Sequence, residues 1–143
     1  VKYRTMQKKV YELTEFLTDV MGITRIEGAT LQGRFTYHDS CSALRECGIK
    51  AGPRELLSNV QGLELVEMED NETCCGFGGT FAVKFEAIST AMAEQKVDNA
   101  LATGADYIIS TDSSCLMHLH SYISKEKKPI KTMHIADVLA SGW

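Results

Sequence analysis

Two adjacent cysteines, Cys74 and Cys75, open directly onto a turn with three glycines among the next four residues. Neighbouring side chains on a regular strand point to opposite faces, so both thiols can serve one site only where the backbone bends sharply. Glycine allows such a bend, because it adopts positive φ values and lets other groups approach its backbone closely. Vicinal cysteines beside a glycine turn therefore predict a cradle for a metal ion or a metal cluster.

Two further cysteines, Cys41 and Cys115, lie upstream and downstream of this turn. Four thiolates from three separate loops are a ligand set for iron–sulfur clusters, and tetrahedral zinc accepts the same set. A cluster offers several iron atoms, so adjacent thiolates can bind different irons without crowding a single tetrahedron. This favours an iron–sulfur cluster, with zinc as the alternative. The chain has no Cys-x-x-Cys hook of the zinc-ribbon kind.

Two polar residues stand three positions before a cysteine and are further candidates for the metal site. His38 precedes Cys41, and it is interpreted either as a direct ligand or as a hydrogen-bond donor that orients a thiolate. Asp112 precedes Cys115, and it is interpreted either as the N-cap of a helix or as a ligand. The remaining cysteine, Cys47, is interpreted as a buried core residue.

The other three histidines have weaker claims to the site. His118 and His120 are two residues apart on a predicted helix, so their side chains face apart, and both are interpreted as solvated or packing residues. His118 is the better candidate, since it lies three residues beyond Cys115 on one helical face. His134 follows a predicted strand, and it is interpreted either as reaching the site or as capping a helix.

Helices and strands alternate along the chain, as judged from apolar periodicity and turn residues. Strands are predicted over residues 33–38, 63–68, 107–109 and 129–133. Helices are predicted over residues 41–47, 54–60, 86–103 and 135–140, with a further helix that carries Cys115. This alternation predicts an α/β fold, with a mostly parallel sheet of about four strands and helices on both faces.

One more helix is predicted ahead of the first strand, over residues 3–20. Apolar residues recur there at steps of three and four, which places them on one face of a helix: Tyr3, Met6, Val10, Leu13, Leu17 and Val20. Gly22 is the candidate residue for ending this helix.

Parallel α/β sheets place their sites beyond the carboxyl ends of the strands. The residues that follow predicted strands are His38 to Cys41, the Cys74–Cys75 turn, Asp112 to Cys115, and His134. Separate strand exits thus bring metal-binding residue types to one edge of the sheet. The sequence predicts that the four thiols meet there.

Length, charge and cysteine count limit the kinds of protein that this chain can be. Its 143 residues suit one domain with a substantial core. A net charge of −4, with no stripe of lysine or arginine, argues against a nucleic-acid partner. No apolar stretch approaches the roughly 20 residues that span a bilayer, and no signal peptide is evident, so no direct membrane insertion is expected. Five cysteines without a secretion signal predict a reducing, cytoplasmic location.

Three other kinds of site compete with the metal site. The glycine turn is a weak match to a dinucleotide fingerprint, because Phe81 stands where a third glycine or alanine is required. A cysteine hydrolase would need a histidine partner, for which His38 or His134 qualifies. A thiol–disulfide site would pair Cys74 or Cys75 with one of the other predicted ligands.

The spacing of the thiols resembles that of the cysteine-rich CCG domain. Cys41 is followed after 32 residues by Cys74-Cys75-Gly76, and then by Cys115. That domain occurs in the CCG-containing subunit of heterodisulfide reductase, in the glycolate oxidase iron–sulfur subunit and in oxidoreductases of the lactate-utilisation protein A type. The lactate-utilisation branch is the most similar, by the run Cys-Cys-Gly-Phe-Gly-Gly-Thr-Phe and by the segments at 103–106 and 134–137.

The resemblance covers about residues 30–141 and implies one CCG-type α/β domain over residues 1–143, as the C-terminal half of a longer two-domain protein. It implies an electron-transfer module in a cytoplasmic complex that oxidises a 2-hydroxy acid such as L-lactate or glycolate. Other subunits of that complex, with a flavin or further iron–sulfur clusters, would be its partners. The implied cofactor is an iron–sulfur cluster of the 4Fe-4S type, held by four cysteines: Cys41, Cys74, Cys75 and Cys115.

In one respect the sequence departs from the family pattern, which ends in Cys-x-x-Cys. The run Asp112-Ser113-Ser114-Cys115 places a carboxylate where the first of those thiols would be. The type of cluster therefore stays open, and zinc stays the alternative metal.

Overall fold

One sheet of four parallel strands lies at the centre of the described part of the chain. The computed structural model describes residues 2–7, 9, 11, 13–39, 51–69, 75–76 and 83–141. The strand order is β2-β1-β3-β4, with β1 at Thr30–Tyr37, β2 at Gln61–Leu65, β3 at Tyr107–Ser110 and β4 at Lys131–His134. β1 pairs in parallel with both β2 and β3, and β3 pairs in parallel with β4. The predicted α/β class and parallel sheet of about four strands are confirmed.

Helices cover both faces of this sheet. In chain order they are α1 (Lys2–Gln7), α2 (Leu13–Glu15), α3 (Ala51–Ser58), α4 (Glu86–Ala102), α5 (Ser113–Glu126) and α6 (Ile135–Leu139). Side chains alternate between the two faces along each strand. Phe35 and Tyr37 on β1 belong to a core shared with α3 and α6, whereas Ile108 on β3 belongs to a core shared with α4 and α5.

The order of the strands reverses at β1. α3 takes the chain from β1 to its neighbour β2, and α4 takes it from β2 past β1 to β3 on the other side. These two helices pack on opposite faces of the sheet. Open α/β sheets bind their ligands beyond the carboxyl ends of the strands at such a switch point. The ends of β1 and β3 are therefore the place where this fold favours a site.

The predicted leading helix over residues 3–20 is wrong as one continuous element. α1 is only six residues long, and neither Lys9 nor Tyr11 is helical. α2 runs directly into a π-helical turn at Phe16–Val20. Gly22 does follow this turn, with a φ of 67°, a left-handed conformation that suits glycine after a helix.

Local hydrogen bonding and solvent exposure account for the broken helix. The Thr18 hydroxyl donates a hydrogen bond to the Thr14 carbonyl oxygen at 2.8 Å, and such bonds to the preceding turn bend helices. The apolar stripe is also poorly packed, since Met6, Leu13 and Val20 are 67%, 42% and 50% exposed. An apolar stripe stabilises a helix mainly where it is packed against other elements.

The other predicted helices and strands within the described ranges are confirmed, with shifts of a few residues at their ends. The short helix predicted over residues 41–47, with Cys47, lies outside the described residues. None of the described helices combines the length and the apolar character that crossing a bilayer requires.

Candidate metal centre

His38 leaves the sheet at the carboxyl end of β1 with its imidazole fully buried. Its backbone N–H donates to the Ile109 carbonyl oxygen at 2.8 Å, which extends the pairing of β1 with β3. The residue is 0% exposed, yet neither ring nitrogen has a hydrogen-bond partner among the described residues. The hydroxyl of Thr36, two residues earlier on the strand, is in the same situation. Buried polar atoms are almost always bonded in proteins, so an unpartnered buried imidazole indicates a ligand role.

Cys75 and Gly76 are the described residues of the cysteine–glycine turn. Cys75 is fully buried and carries a reduced thiol. Gly76 has a φ of 95°, and its carbonyl oxygen accepts a hydrogen bond from the Ser89 hydroxyl at 2.7 Å. A β-carbon on Gly76 would lie 2.6 Å from the Ser89 carbonyl oxygen, closer than atoms approach in real structures. Both the conformation and the close approach therefore require glycine at this position.

Cys115 lies in the first turn of α5, where it is 7% exposed and carries a reduced thiol. Asp112 is the N-cap of this helix, since its Oδ1 accepts hydrogen bonds from the backbone N–H groups of Ser114 at 2.9 Å and Cys115 at 3.3 Å. The partial positive charge at a helix start favours an anionic thiolate nearby. The predicted capping role of Asp112 is confirmed, and its role as a ligand stays a prediction.

These three side chains meet in one place. One ring nitrogen of His38 and the sulfur atoms of Cys75 and Cys115 lie within 4.8 Å of one another, and all three residues are buried. They come from the end of β1, from the glycine turn and from the start of α5. Metal–ligand bonds of about 2.0–2.3 Å allow such a trio to bind one ion or adjacent irons of a cluster. We refer to these three residues as the donor group.

Of the four cysteines predicted as ligands, Cys75 and Cys115 are within the donor group, and His38 joins them there. Cys41 and Cys74 lie outside the described residues. That these two thiols complete the ligand set stays a prediction.

His134 caps a helix. Its Nδ1 accepts a hydrogen bond from the Ala136 backbone N–H at 3.0 Å, and its Nε2 lies 2.9 Å from the Thr111 carbonyl oxygen, to which it donates. Both ring nitrogens are used in this way. Of the two roles predicted for His134, the cap is the one observed.

His118 packs beside the glycine turn. Its Nε2 lies 3.3 Å from both the hydroxyl and the carbonyl oxygens of Ser89, the residue that also bonds Gly76. His120 is exposed, with its Nε2 at 3.4 Å from the Ser124 hydroxyl. The two histidines face apart as predicted, and His118 is a packing residue that supports the turn.

Three charged residues near the ends of β1 and β2 were missed in the sequence. Arg54 in α3 donates two hydrogen bonds to the carboxylate of Asp39, at 2.8 and 2.6 Å, and two more to Glu67. Burial opposes the charge of the guanidinium, but the hydrogen bonds to both carboxylates outweigh it and raise the pKa of Arg54 above its ordinary value. The one sequence signal was an acidic residue directly after the candidate ligand His38.

Comparison with known proteins identifies the family. Residues 35–120 match the family model described as CCG, cysteine-rich domain. The chain belongs to this family. The matched range includes the whole donor group, so the CCG family likeness and the convergence of donors concern the same part of the fold.

Curated relatives share nearly half of their aligned residues with this CCG domain. Lactate utilization protein A of Geobacillus sp. (strain WCH70) is 47% identical over 140 residues, which cover 98% of this chain and 58% of that protein. Lactate utilization protein A of Lysinibacillus sphaericus (strain C3-41) is 46% identical over 138 residues, which cover 96% and 60%. The chain therefore spans less than two thirds of the length of these relatives.

Proposed function

We propose that this CCG domain is an electron-transfer module of a lactate-utilisation system and that it binds an iron–sulfur cluster. The observation that carries the proposal is the buried donor group, His38, Cys75 and Cys115, at the switch point of the sheet. The proposed cluster ligands are Cys75 and Cys115 together with Cys41 and Cys74. Similarity to relatives named lactate utilization protein A supports the placement in such a system.

The chemistry of the donor group fits a resident cluster or metal ion. Thiolates and imidazoles are ligands of iron–sulfur clusters and of zinc. The two described thiols are reduced, and the imidazole is unpartnered among the described residues. A bound cluster would supply an acceptor and donor of single electrons.

The residues of the chain have three tasks in this proposal. Burial of the donor group, with His38 and Cys75 at 0% exposure, excludes water from the bound metal. The hydrogen bond from Ser89 to Gly76 keeps the glycine turn against α4, and with it the backbone that carries Cys75. The start of α5 favours the negative charge of thiolates near Cys115.

Substrate chemistry is assigned to partners. Conversion of a 2-hydroxy acid to a 2-oxo acid removes two electrons and two protons, and flavins and nicotinamides accept them as a pair. We propose that a flavin-containing or iron–sulfur subunit of a cytoplasmic lactate- or glycolate-oxidising complex takes this pair and passes single electrons to the CCG domain. The chain is proposed as the C-terminal half of a two-domain protein, because it spans only 58% and 60% of its relatives.

A zinc site is the second candidate, and the imidazole favours it. Structural zinc is commonly held by three cysteines and one histidine in a tetrahedron. His38 beside Cys75 and Cys115 supplies three donors of this kind. In that case the metal would stabilise the fold and transfer no electrons.

Anaerobic reconstitution with iron and sulfide distinguishes these candidates. We expect uptake of iron and acid-labile sulfide in comparable amounts, with broad visible absorption that bleaches on reduction. Cys75→Ala and Cys115→Ala should lose most of this uptake, whereas Ser124→Ala, an exposed control on α5, should retain it. Stoichiometric zinc without visible absorption would support the second candidate. Clean, folded protein that takes up neither iron nor sulfide contradicts the cluster proposal.

A further inference from the structure

We propose that Arg54 is a positioning residue for the metal centre, because it bridges Asp39 and Glu67 and so fixes the chain where two neighbouring strands end. The inference rests on the metal-binding function proposed above. Asp39 is the second residue after β1, and Glu67 is the second residue after β2. One guanidinium on α3 therefore joins equivalent positions at the carboxyl ends of two parallel strands.

The contacts of Arg54 are those of a rigid bridge. Its guanidinium donates two hydrogen bonds to each carboxylate and lies 5.0 Å above the ring of Tyr37. The side chain of Asp39 is 1% exposed and that of Arg54 is 17% exposed, so solvent competes little for their bond. The planar fork of arginine can bind two carboxylates in pairs, whereas the single ammonium group of lysine cannot reproduce this geometry.

The bridge lies where the chain leaves the sheet towards the predicted ligands. Asp39 is joined directly to His38 and precedes Cys41 by two residues. Glu67 precedes Cys74 by seven residues. Anchoring Asp39 and Glu67 to one side chain fixes the distance and direction between the two exits. Both segments then start from set positions as they lead to the metal centre.

A second arginine provides a matched control. Arg34 on β1 contacts Glu64 on β2 at 3.2 Å, so this pair also joins the two strands through a guanidinium and a carboxylate. It lies within the strands rather than at their exits, and its side chains are 44% and 62% exposed. Loss of this pair should leave the metal centre unchanged.

Titration of the metal-free protein with Co²⁺ tests the positioning role, since the absorption of bound Co²⁺ reports its thiolate ligands and geometry. We expect Arg54→Lys to raise the Kd for Co²⁺ about 10–100-fold, the usual effect of losing a residue that supports metal ligands. The Co²⁺ absorption should also change. Arg34→Lys should keep the wild-type Kd and spectrum. A wild-type Kd and spectrum in folded Arg54→Lys overturns the proposal.

Hydrogen exchange in the metal-free proteins separates this inference from the metal function. Amides at 38–39 and 66–69 should exchange at least about tenfold faster in Arg54→Lys than in Arg34→Lys, since local opening governs exchange. If the wild type binds no Co²⁺, the metal function is contradicted, and unchanged exchange then overturns the bridge as well. If Arg54→Lys does not fold, Glu67→Gln decides, because its half-exposed carboxylate can be neutralised without leaving a buried charge. Wild-type Co²⁺ affinity and exchange in Glu67→Gln would overturn the proposal.

Discussion

Gly76 touches α4 so closely that no side chain fits, and this predicts a specific cost for Gly76→Ala. Its positive φ alone should cost about 1–2 kcal/mol in a residue with a β-carbon. The contact of that β-carbon with the Ser89 carbonyl oxygen adds about 1–3 kcal/mol, because the backbone of a helix cannot move aside easily. Urea unfolding measures the total. We expect metal uptake to fall in parallel.

Gly28→Ala is the control for this prediction. Gly28 has a φ of 82°, but a β-carbon there would meet nothing within 4 Å. It should therefore show the conformational cost without the contact. Equal losses of stability in the two variants would mean that Gly76 is not pressed against Ser89.

The unpartnered imidazole of His38 makes a different prediction. His38→Phe removes two buried polar atoms that lack hydrogen bonds among the described residues, so the metal-free protein should keep its free energy of unfolding within about 1 kcal/mol. Loss of a metal ligand should nevertheless raise the Kd for Co²⁺ or zinc at least about tenfold. His134→Phe is the converse control: it removes two hydrogen bonds and should lower stability while leaving the Kd unchanged. Wild-type metal affinity in His38→Phe would exclude His38 as a ligand.

Asp112 separates capping from metal binding. Asp112→Ala should cost about 0.5–2 kcal/mol in unfolding free energy, because the backbone N–H groups of Ser114 and Cys115 lose their acceptor. Asp112→Asn keeps an oxygen acceptor and should stay near wild-type stability. Metal content, measured on both variants, should be unchanged if capping is the whole role. A loss of metal in the stable Asp112→Asn variant would instead identify Asp112 as a ligand.

Among the elements, α4 and α5 face each other through Tyr122, whose environment predicts a loss of stability at high pH. Burial, together with the carboxylates of Glu94, Asp98 and Glu126, raises the pKa of Tyr122 above its ordinary 10.0. The folded state therefore keeps the phenol protonated when the unfolded chain already releases the proton. Its contribution to stability is full below pH 10 and is lost as pH rises further, by up to about 1.4 kcal/mol per pH unit.

Tyr122→Phe should flatten this decline, as measured by urea unfolding between about pH 9 and pH 11. Tyr11→Phe is the control, since Tyr11 is 45% exposed and should leave the slope unchanged. The same alkaline slope in Tyr122→Phe and the wild type would show that Tyr122 ionises equally in both states.

Element type could be predicted from the sequence where apolar periodicity coincides with burial. The strands at Tyr107–Ser110 and Lys131–His134 and the long helix Glu86–Ala102 follow their patterns, because each packs its apolar side chains into a core. The segment before Gly22 had an equally regular stripe, yet the helix is broken there. Periodicity alone does not tell whether a stripe finds something to pack against.

At the scale of the whole molecule, the meeting of His38, Cys75 and Cys115 followed from topology. Parallel strands send their carboxyl ends to one edge, so residues after β1 and β3 were expected to be neighbours. The sequence did not predict that the imidazole of His38 lies among the thiols unpartnered, because this depends on how side chains orient after folding. Arg54 was missed for a similar reason, since its two carboxylates are 28 residues apart in sequence and meet only through the pairing of β1 with β2.

X-ray absorption at the metal edge of anaerobically purified protein tests the donor group most directly. With iron or zinc bound, we expect sulfur ligands at about 2.3 Å and one nitrogen ligand at about 2.0–2.1 Å. The nitrogen should disappear in His38→Phe, and sulfur ligands should be lost in Cys75→Ala and Cys115→Ala. Absence of bound metal, or a metal surrounded only by oxygen and nitrogen, would contradict the account.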